Sequence, residues 1–230
     1  MLDRLKVRAI TLDLDDTLWP IWPIIARAEK ALQDWLRHRA PRTADWMADD
    51  LQRHRLREQI TRERPQDKHQ LSALRTELIR RALLLCGEPA ELADPAYEVF
   101  FEARQQVELF EDALPALEFL AARYPLVALS NGNADIEKVG LGRFFKASFS
   151  AEALGVGKPE AAIFHAGARA AGVAPEQVLH IGDDAGLDVL GALACGMQTV
   201  WVNRGDHPWP HAEQPHETVS QLHELTELLR

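Results

Sequence analysis

The sequence predicts an α/β fold: a doubly wound parallel sheet with an inserted all-helical domain. Three observations predict it. Short apolar, β-branched runs at 7–12, 126–129, 178–181 and 199–202 read as buried strands. From residue 110 onward strands alternate with helical stretches, which implies parallel pairing through right-handed crossovers. Between the first and second runs lies a long block, from about Pro20 to Gln106, with helical periodicity and no strand pattern. The expected organisation is residues 1–19 and 107–230 as an α/β core and residues 20–106 as a helical domain.

Composition narrows the class. A chain of 230 residues suffices for a core and a smaller insert. Its net charge of −9 argues against a nucleic-acid partner, which needs a basic surface. Cys86 and Cys195 lie far apart without metal spacing, so reduced thiols in a cytoplasmic protein are expected. Asp13 and Asp15 interrupt the one early apolar run, so no signal peptide is expected there. No run reaches the length of a membrane span, so no membrane partner is expected. A monomer is the default.

Each element has its own justification. Val7, Ala9, Ile10 and Leu12 make the first strand, which runs into Asp13-Leu14-Asp15-Asp16-Thr17-Leu18-Trp19. Ile24, Ala28, Ala31, Leu32, Trp35 and Leu36 share one face of a first helix. Pro41 breaks it, and Thr43 is placed to cap the next, whose apolar side is Trp46, Met47 and Leu51. Pro65 breaks again. Leu71, Leu74, Leu78, Ala82 and Leu85 form a third stripe, closed by Gly87, and Leu92, Ala96, Val99, Phe100 and Ala103 a fourth. Trp35 and Trp46 are read as the core of this domain. A helix with Leu114, Leu117 and Leu120 precedes the strand at 126–129, which ends at Ser130-Asn131-Gly132. A short helix is expected before Phe144-Phe145, and a strand at 147–150 leads into Gly155-Val156-Gly157-Lys158-Pro159. After a helix over 160–172, the strand at 178–181 ends at Gly182-Asp183-Asp184. A helix near 187–195, a strand at 199–202, a loop at 207–215 and a helix over 219–229 complete the chain.

Four polar clusters thus fall at or beside predicted strand ends: Asp13/Asp15/Thr17, Ser130/Asn131, Lys158, and Asp183/Asp184 with Asp188. In an open parallel sheet these ends share one edge. Buried like charges are costly, and a cation is the natural remedy. Several acids, a hydroxyl and a lysine describe a Mg²⁺-assisted phosphoryl-transfer site. An aspartate can attack phosphorus, and a second acid can protonate the leaving oxygen and then activate water. His180 is read as a satisfied core histidine.

The stretches DLDDTLW, LSNGN, GKPE and HIGDDAGLDVLGALACGM, in this order, resemble the haloacid dehalogenase (HAD) superfamily of phosphohydrolases, with its Rossmann-like core and helical cap. The resemblance spans the whole chain and implies an enzyme, a Mg²⁺-dependent phosphatase. It implies Asp13 as nucleophile, forming an aspartyl-phosphate, and Asp15 as general acid and base. Asp13, the Asp15 backbone carbonyl and Asp183 would hold Mg²⁺, with Asp184 or Asp188 in support. Lys158 would orient Asp13, and Ser130, the Asn131 backbone and Thr17 would meet the phosphate. Trp19 and Trp22, just past the nucleophile, are candidates to stack on a flat substrate.

SNGNADIEKVGLGRFF and the segment from HIGDD to ACGM are most similar to flavin-pathway phosphatases. These act on 5-amino-6-(5-phosphoribitylamino)uracil and FMN. The chain departs from them at Pro20-Ile21-Trp22, where polar residues are usual. The expected partner is therefore a small phosphorylated metabolite. The alternatives are a nucleotide or sugar-phosphate phosphatase, a 2-haloacid dehalogenase, and a non-catalytic phospholigand-binding protein.

Overall fold

A computed structural model describes residues 1–230. The chain divides into two compact units, Met1–Pro20 with Glu108–Arg230, and Ile21–Val107.

The first unit is built on six strands: β1 (Ala9–Leu12), β2 (Leu126–Ser130), β3 (Ala147–Ser150), β4 (Val178–Gly182), β5 (Gln198–Val202) and β6 (Glu217–Val219). Their order is β3-β2-β1-β4-β5-β6, and every pairing is parallel. β1 is therefore central, with β2 on one side and β4 on the other. Leu12, the last residue of β1, lies opposite Ala128 and Ile181, so β2 runs two residues and β4 one residue past it on the same edge. This is where the winding reverses direction, and where an open sheet leaves a crevice beyond its carboxyl ends.

β1, β2, β4 and β5 are buried along their whole length, which explains their continuous apolar runs. Thr11 and His180 are polar exceptions. They face each other in register and bond to each other at 2.8 Å.

The second unit contains α1 (Ile21–Arg39), α2 (Pro41–Met47), α3 (Asp50–Glu63), α4 (Leu71–Leu85) and α5 (Ala93–Arg104). Ala28, Leu32 and Leu36 of α1 pack with Ile79, Ala82 and Leu83 of α4 and with Ala96 and Phe100 of α5. Trp35 and Trp46 pack against that core, as expected. α1 ends where Pro41 disfavours a helical residue before it. Thr43 does not cap: α2 already starts at Pro41, and the Thr43 amide and hydroxyl both donate to Glu88. Asp49 caps α3 by accepting from the Leu51 and Gln52 amides. In α4 the buried face is Leu78, Ile79, Ala82 and Leu83, whereas Leu71 and Leu85 of the expected stripe are exposed. Two interleaved i, i+4 pairs, Leu78/Ala82 and Ile79/Leu83, set that face, and Leu85 falls off it.

Helices α6 (Ala113–Ala121), α7 (Ala151–Leu154), α8 (Ala161–Ala171), α9 (Gly191–Ala194) and α10 (Leu222–Leu228) belong to the sheet unit. Three expectations need correction here. The helix before Phe144 is only a 3₁₀ turn, Gly142–Phe144. The expected helix near 187–195 opens as a wide π-type turn, Ala185–Leu190, in which the Val189 amide bonds to the Asp184 carbonyl. The last helix starts three residues after Val219, because Val219 closes the short edge strand β6. No helix is long and apolar enough to cross a membrane.

Candidate active site

β1 delivers Asp13 directly beyond its last residue, and the Asp13 amide donates to the Ile181 carbonyl at 2.9 Å. The chain then turns sharply. The Leu18 amide bonds to the Leu14 carbonyl, and Asp16 sits at φ +56°, a left-handed conformation that aspartate tolerates better than most residues. Asp15 is thereby carried beside Trp19, whose indole N–H donates to Asp15 Oδ1 at 2.7 Å.

Lys158 reaches the same place from the loop between α7 and α8. Its ammonium is buried, and it donates to Asp13 and, at 2.6 Å, to Asp188 Oδ1. The Lys158 backbone is fixed by the Asn131 side chain, which accepts from its amide at 2.8 Å and donates to its carbonyl at 2.9 Å. Gly157 is required by that approach: a Cβ there would stand 2.5 Å from Asn131 Oδ1. Gly182 is required likewise, because a Cβ would meet the Asp188 carboxyl at 2.3 Å.

Asp188 is heavily engaged. Besides Lys158 it takes His180 Nε2 at 3.0 Å and the Asp184 amide at 3.1 Å. Burial opposes its ionisation, but the Lys158 charge and the His180 hydrogen bond outweigh burial and hold the carboxyl near 2. An ionised Asp188 only accepts, so His180 Nε2 donates. Burial lowers the His180 pKa and keeps the ring neutral, so Nδ1 accepts from the Thr11 hydroxyl. Burial also disfavours the Lys158 charge, yet Asp13 and Asp188 overcome this and raise its pKa.

The other two acids are poorly compensated. Burial, with Asp188 and Asp183 nearby, raises Asp13 well above the ordinary carboxylate range despite Lys158. Burial, Asp188 and Asp16 push Asp183 up to about 7. Carboxylate oxygens of Asp13, Asp183 and Asp188 lie within 4.8 Å of one another. Three acids against one lysine fit a divalent cation, which would remove the mutual repulsion. With Asp188 committed to Lys158, His180 and the Asp184 amide, Asp13 and Asp183 are the carboxylates suited to hold it.

The structure brings Asp13, Lys158, Asp183 and Asp188 into one cluster and seats Asp15 beside Asp13 in sequence. Ser130 ends β2, and its hydroxyl accepts from the Gly132 amide at 2.9 Å. Three expectations change. Thr17 is buried, and its hydroxyl donates to Asp183 Oδ1 at 3.1 Å, so it positions an acid and presents no group to a phosphate. The Asn131 side chain serves the Lys158 loop, and its backbone is the part expected at the phosphate. Trp19 is wholly buried with its N–H on Asp15, so it offers no face for stacking, whereas Trp22 is 76% exposed. Asp184 accepts from the Gly186 and Leu187 amides and caps the wide turn.

Sequence reasoning missed two supports. The Trp201 indole donates to the Asp183 carbonyl at 2.7 Å. Arg204 donates to the Thr17 carbonyl at 3.0 Å and is held by both oxygens of Asp112 at 3.1 Å. Neither sits in a recognisable motif. The available signal was a polar or large aromatic residue at the end of an otherwise aliphatic strand.

Comparison with known proteins gives three findings. A family model described as haloacid dehalogenase-like hydrolase matches residues 7–196. The 5-amino-6-(5-phospho-D-ribitylamino)uracil phosphatase YigB of Escherichia coli (strain K12) is 33% identical over 97% of both chains. A crystal structure of a 2-haloacid dehalogenase from Pseudomonas syringae pv. Tomato DC3000 superposes with a TM-score of 0.92 at 36% identity, covering 97% of this chain and 98% of that one.

Proposed function

The chain belongs to the haloacid dehalogenase-like hydrolases, and from that premise we propose that it is a Mg²⁺-dependent phosphomonoesterase working through an aspartyl-phosphate. One observation carries the choice of phosphate over halide: the carboxylate of Asp15, two residues beyond Asp13 and oriented by the Trp19 indole. A leaving alkoxide needs a proton, and a leaving halide needs none.

In this reading an Asp13 oxygen attacks phosphorus while the bond to the alcohol oxygen breaks. Asp15 delivers its proton to that oxygen. As a carboxylate it next takes a proton from water, which attacks the phosphorus of the aspartyl-phosphate. Inorganic phosphate departs and the Asp13 carboxylate is restored. Lys158 steadies Asp13 through both steps and balances its charge. Ser130, with backbone N–H groups at the end of β2, faces the transferred group. Asp13, Asp183 and the Asp15 backbone carbonyl would hold Mg²⁺, which when bound supplies positive charge that lets a phosphate approach these acids. Asp188 stays with Lys158 as its counterion. The helical unit acts as a cap that selects the substrate.

The similarity to YigB supports 5-amino-6-(5-phosphoribitylamino)uracil as substrate, with FMN as a related candidate. The decisive experiment is a phosphate-release screen across these two, nucleotides and sugar phosphates, with Mg²⁺ and with EDTA. The likeness to a 2-haloacid dehalogenase gives the second reading. Chloride release from 2-chloropropionate in EDTA, without phosphate release from any ester in Mg²⁺, would establish it instead.

A further inference from the structure

The helical unit contains a cavity that the catalytic reading does not use. It measures about 790 Å³ and is walled by α1, α3 and α4, with Met47 at the end of α2. Its charges do not balance. Arg75 pairs with Glu29, and Arg53 pairs with Asp50. Arg57 is a third guanidinium on the same wall, and its side chain has no hydrogen bond or ion pair. Arg75 and Arg53 repel its charge, and Glu29 attracts it. An isolated positive excess of this kind is notable in a chain of net charge −9. Trp22 lines the same cavity with its indole 76% exposed.

We propose that this cavity is an anion site: Arg57 engages the carboxylate or other oxyanion of a small organic molecule, and Trp22 covers its flat apolar body. The chemistry is complementary on both counts. A guanidinium matches a carboxylate with two parallel N–H donors, and an indole face takes an aromatic ring. An anion would also relieve the crowding of Arg57 by Arg53 and Arg75.

The test uses the whole chain and 2-naphthoate, with 2-naphthamide as the neutral probe of the same shape. EDTA is present throughout, because the metal-free acid cluster of the sheet unit repels anions. The expected result is saturable, one-to-one binding of naphthoate by calorimetry, with naphthamide weaker by about tenfold or more. Arg57→Gln should bring naphthoate down to the level of naphthamide. Trp22→Ala should weaken both probes alike. The site is refuted if wild type shows no saturable naphthoate binding, or if Arg57→Gln binds naphthoate as wild type does. Both variants change exposed side chains, and an unchanged melting temperature verifies that they fold. Because the readout is binding without metal, failure of the phosphatase reading leaves the outcome unaffected.

Discussion

The Lys158 ammonium lies 2.6 Å from the Asp188 carboxylate, and both groups are almost completely withdrawn from water. Each offsets much of the other's cost of burial, with Asp13 beside Lys158 and His180 beside Asp188 contributing further. The pair sits directly behind Asp13, so the nucleophile is held by a lysine whose second anion never needs to leave.

Asp188→Asn should therefore cost stability first. It leaves Lys158 with Asp13 as its one counterion, and it sets a side-chain NH2 where Asp188 Oδ2 accepts from the Asp184 amide. Breaking a buried pair of this kind typically costs about 3–5 kcal/mol. Urea denaturation in EDTA measures it, and a loss under about 1 kcal/mol would contradict the pairing.

Asp13→Asn should abolish turnover, by a factor above about 10⁴, while relieving repulsion with Asp183 and Asp188. The variant should melt no earlier than wild type in EDTA. Wild-type rates would rule out the covalent scheme.

Asp15→Asn should slow both half-reactions by about 10²–10⁴. The deficit should be larger for an alkyl phosphate than for p-nitrophenyl phosphate, whose phenolate leaves without a proton. Equal deficits for the two substrates would show that Asp15 does not protonate the leaving group.

Asp183 gives the pH dependence its sign. Burial, Asp188 and Asp16 raise it to about 7, so the folded protein holds this proton more tightly than the unfolded chain. The stability it contributes is complete below the ordinary carboxylate range and is lost as pH rises through about 7. Mg²⁺ competes with the same proton. Its stabilising effect should be small near about pH 5 and grow toward about pH 8. Melting temperatures with Mg²⁺ and with EDTA across that range check it; a pH-independent metal effect would exclude Asp183 as a ligand.

Thr17→Val removes the hydroxyl that donates to Asp183 at 3.1 Å, and nearly preserves shape. Mg²⁺ affinity should fall by about tenfold or more, as for other residues that orient a ligand. A magnesium titration of activity reads it directly, with kcat at saturating metal little changed.

The fold class was legible because β1, β2, β4 and β5 are buried on both faces and therefore spell continuous apolar runs. The acid cluster was legible because each member stands at the end of such a run. What a side chain does there was less legible. Thr17 looks like a group for a ligand, yet its hydroxyl holds Asp183, and nothing in the motif foretells that the Asn131 side chain holds the Lys158 backbone. Trp19 looks like a stacking surface, and its indole is spent on Asp15. Such partners are fixed by the third dimension, and motif spacing carries no trace of them. β6 escaped notice because three edge residues, Glu217-Thr218-Val219, are too few to display alternation. Arg204 and Trp201 escaped because their acceptors, Thr17 and Asp183, are main-chain carbonyls, which any residue type supplies.

The Leu18 carbonyl accepts from the Phe110 amide at 2.9 Å, so the polypeptide departs from the sheet and returns to it at a single stitched point. A gene carrying such a neck can trade the passage from Ile21 to Val107 for a longer, shorter or unrelated one without unpicking one strand or the Trp19 contact to Asp15. New specificities can thus be auditioned by recombination while the hydrolytic machinery is inherited intact.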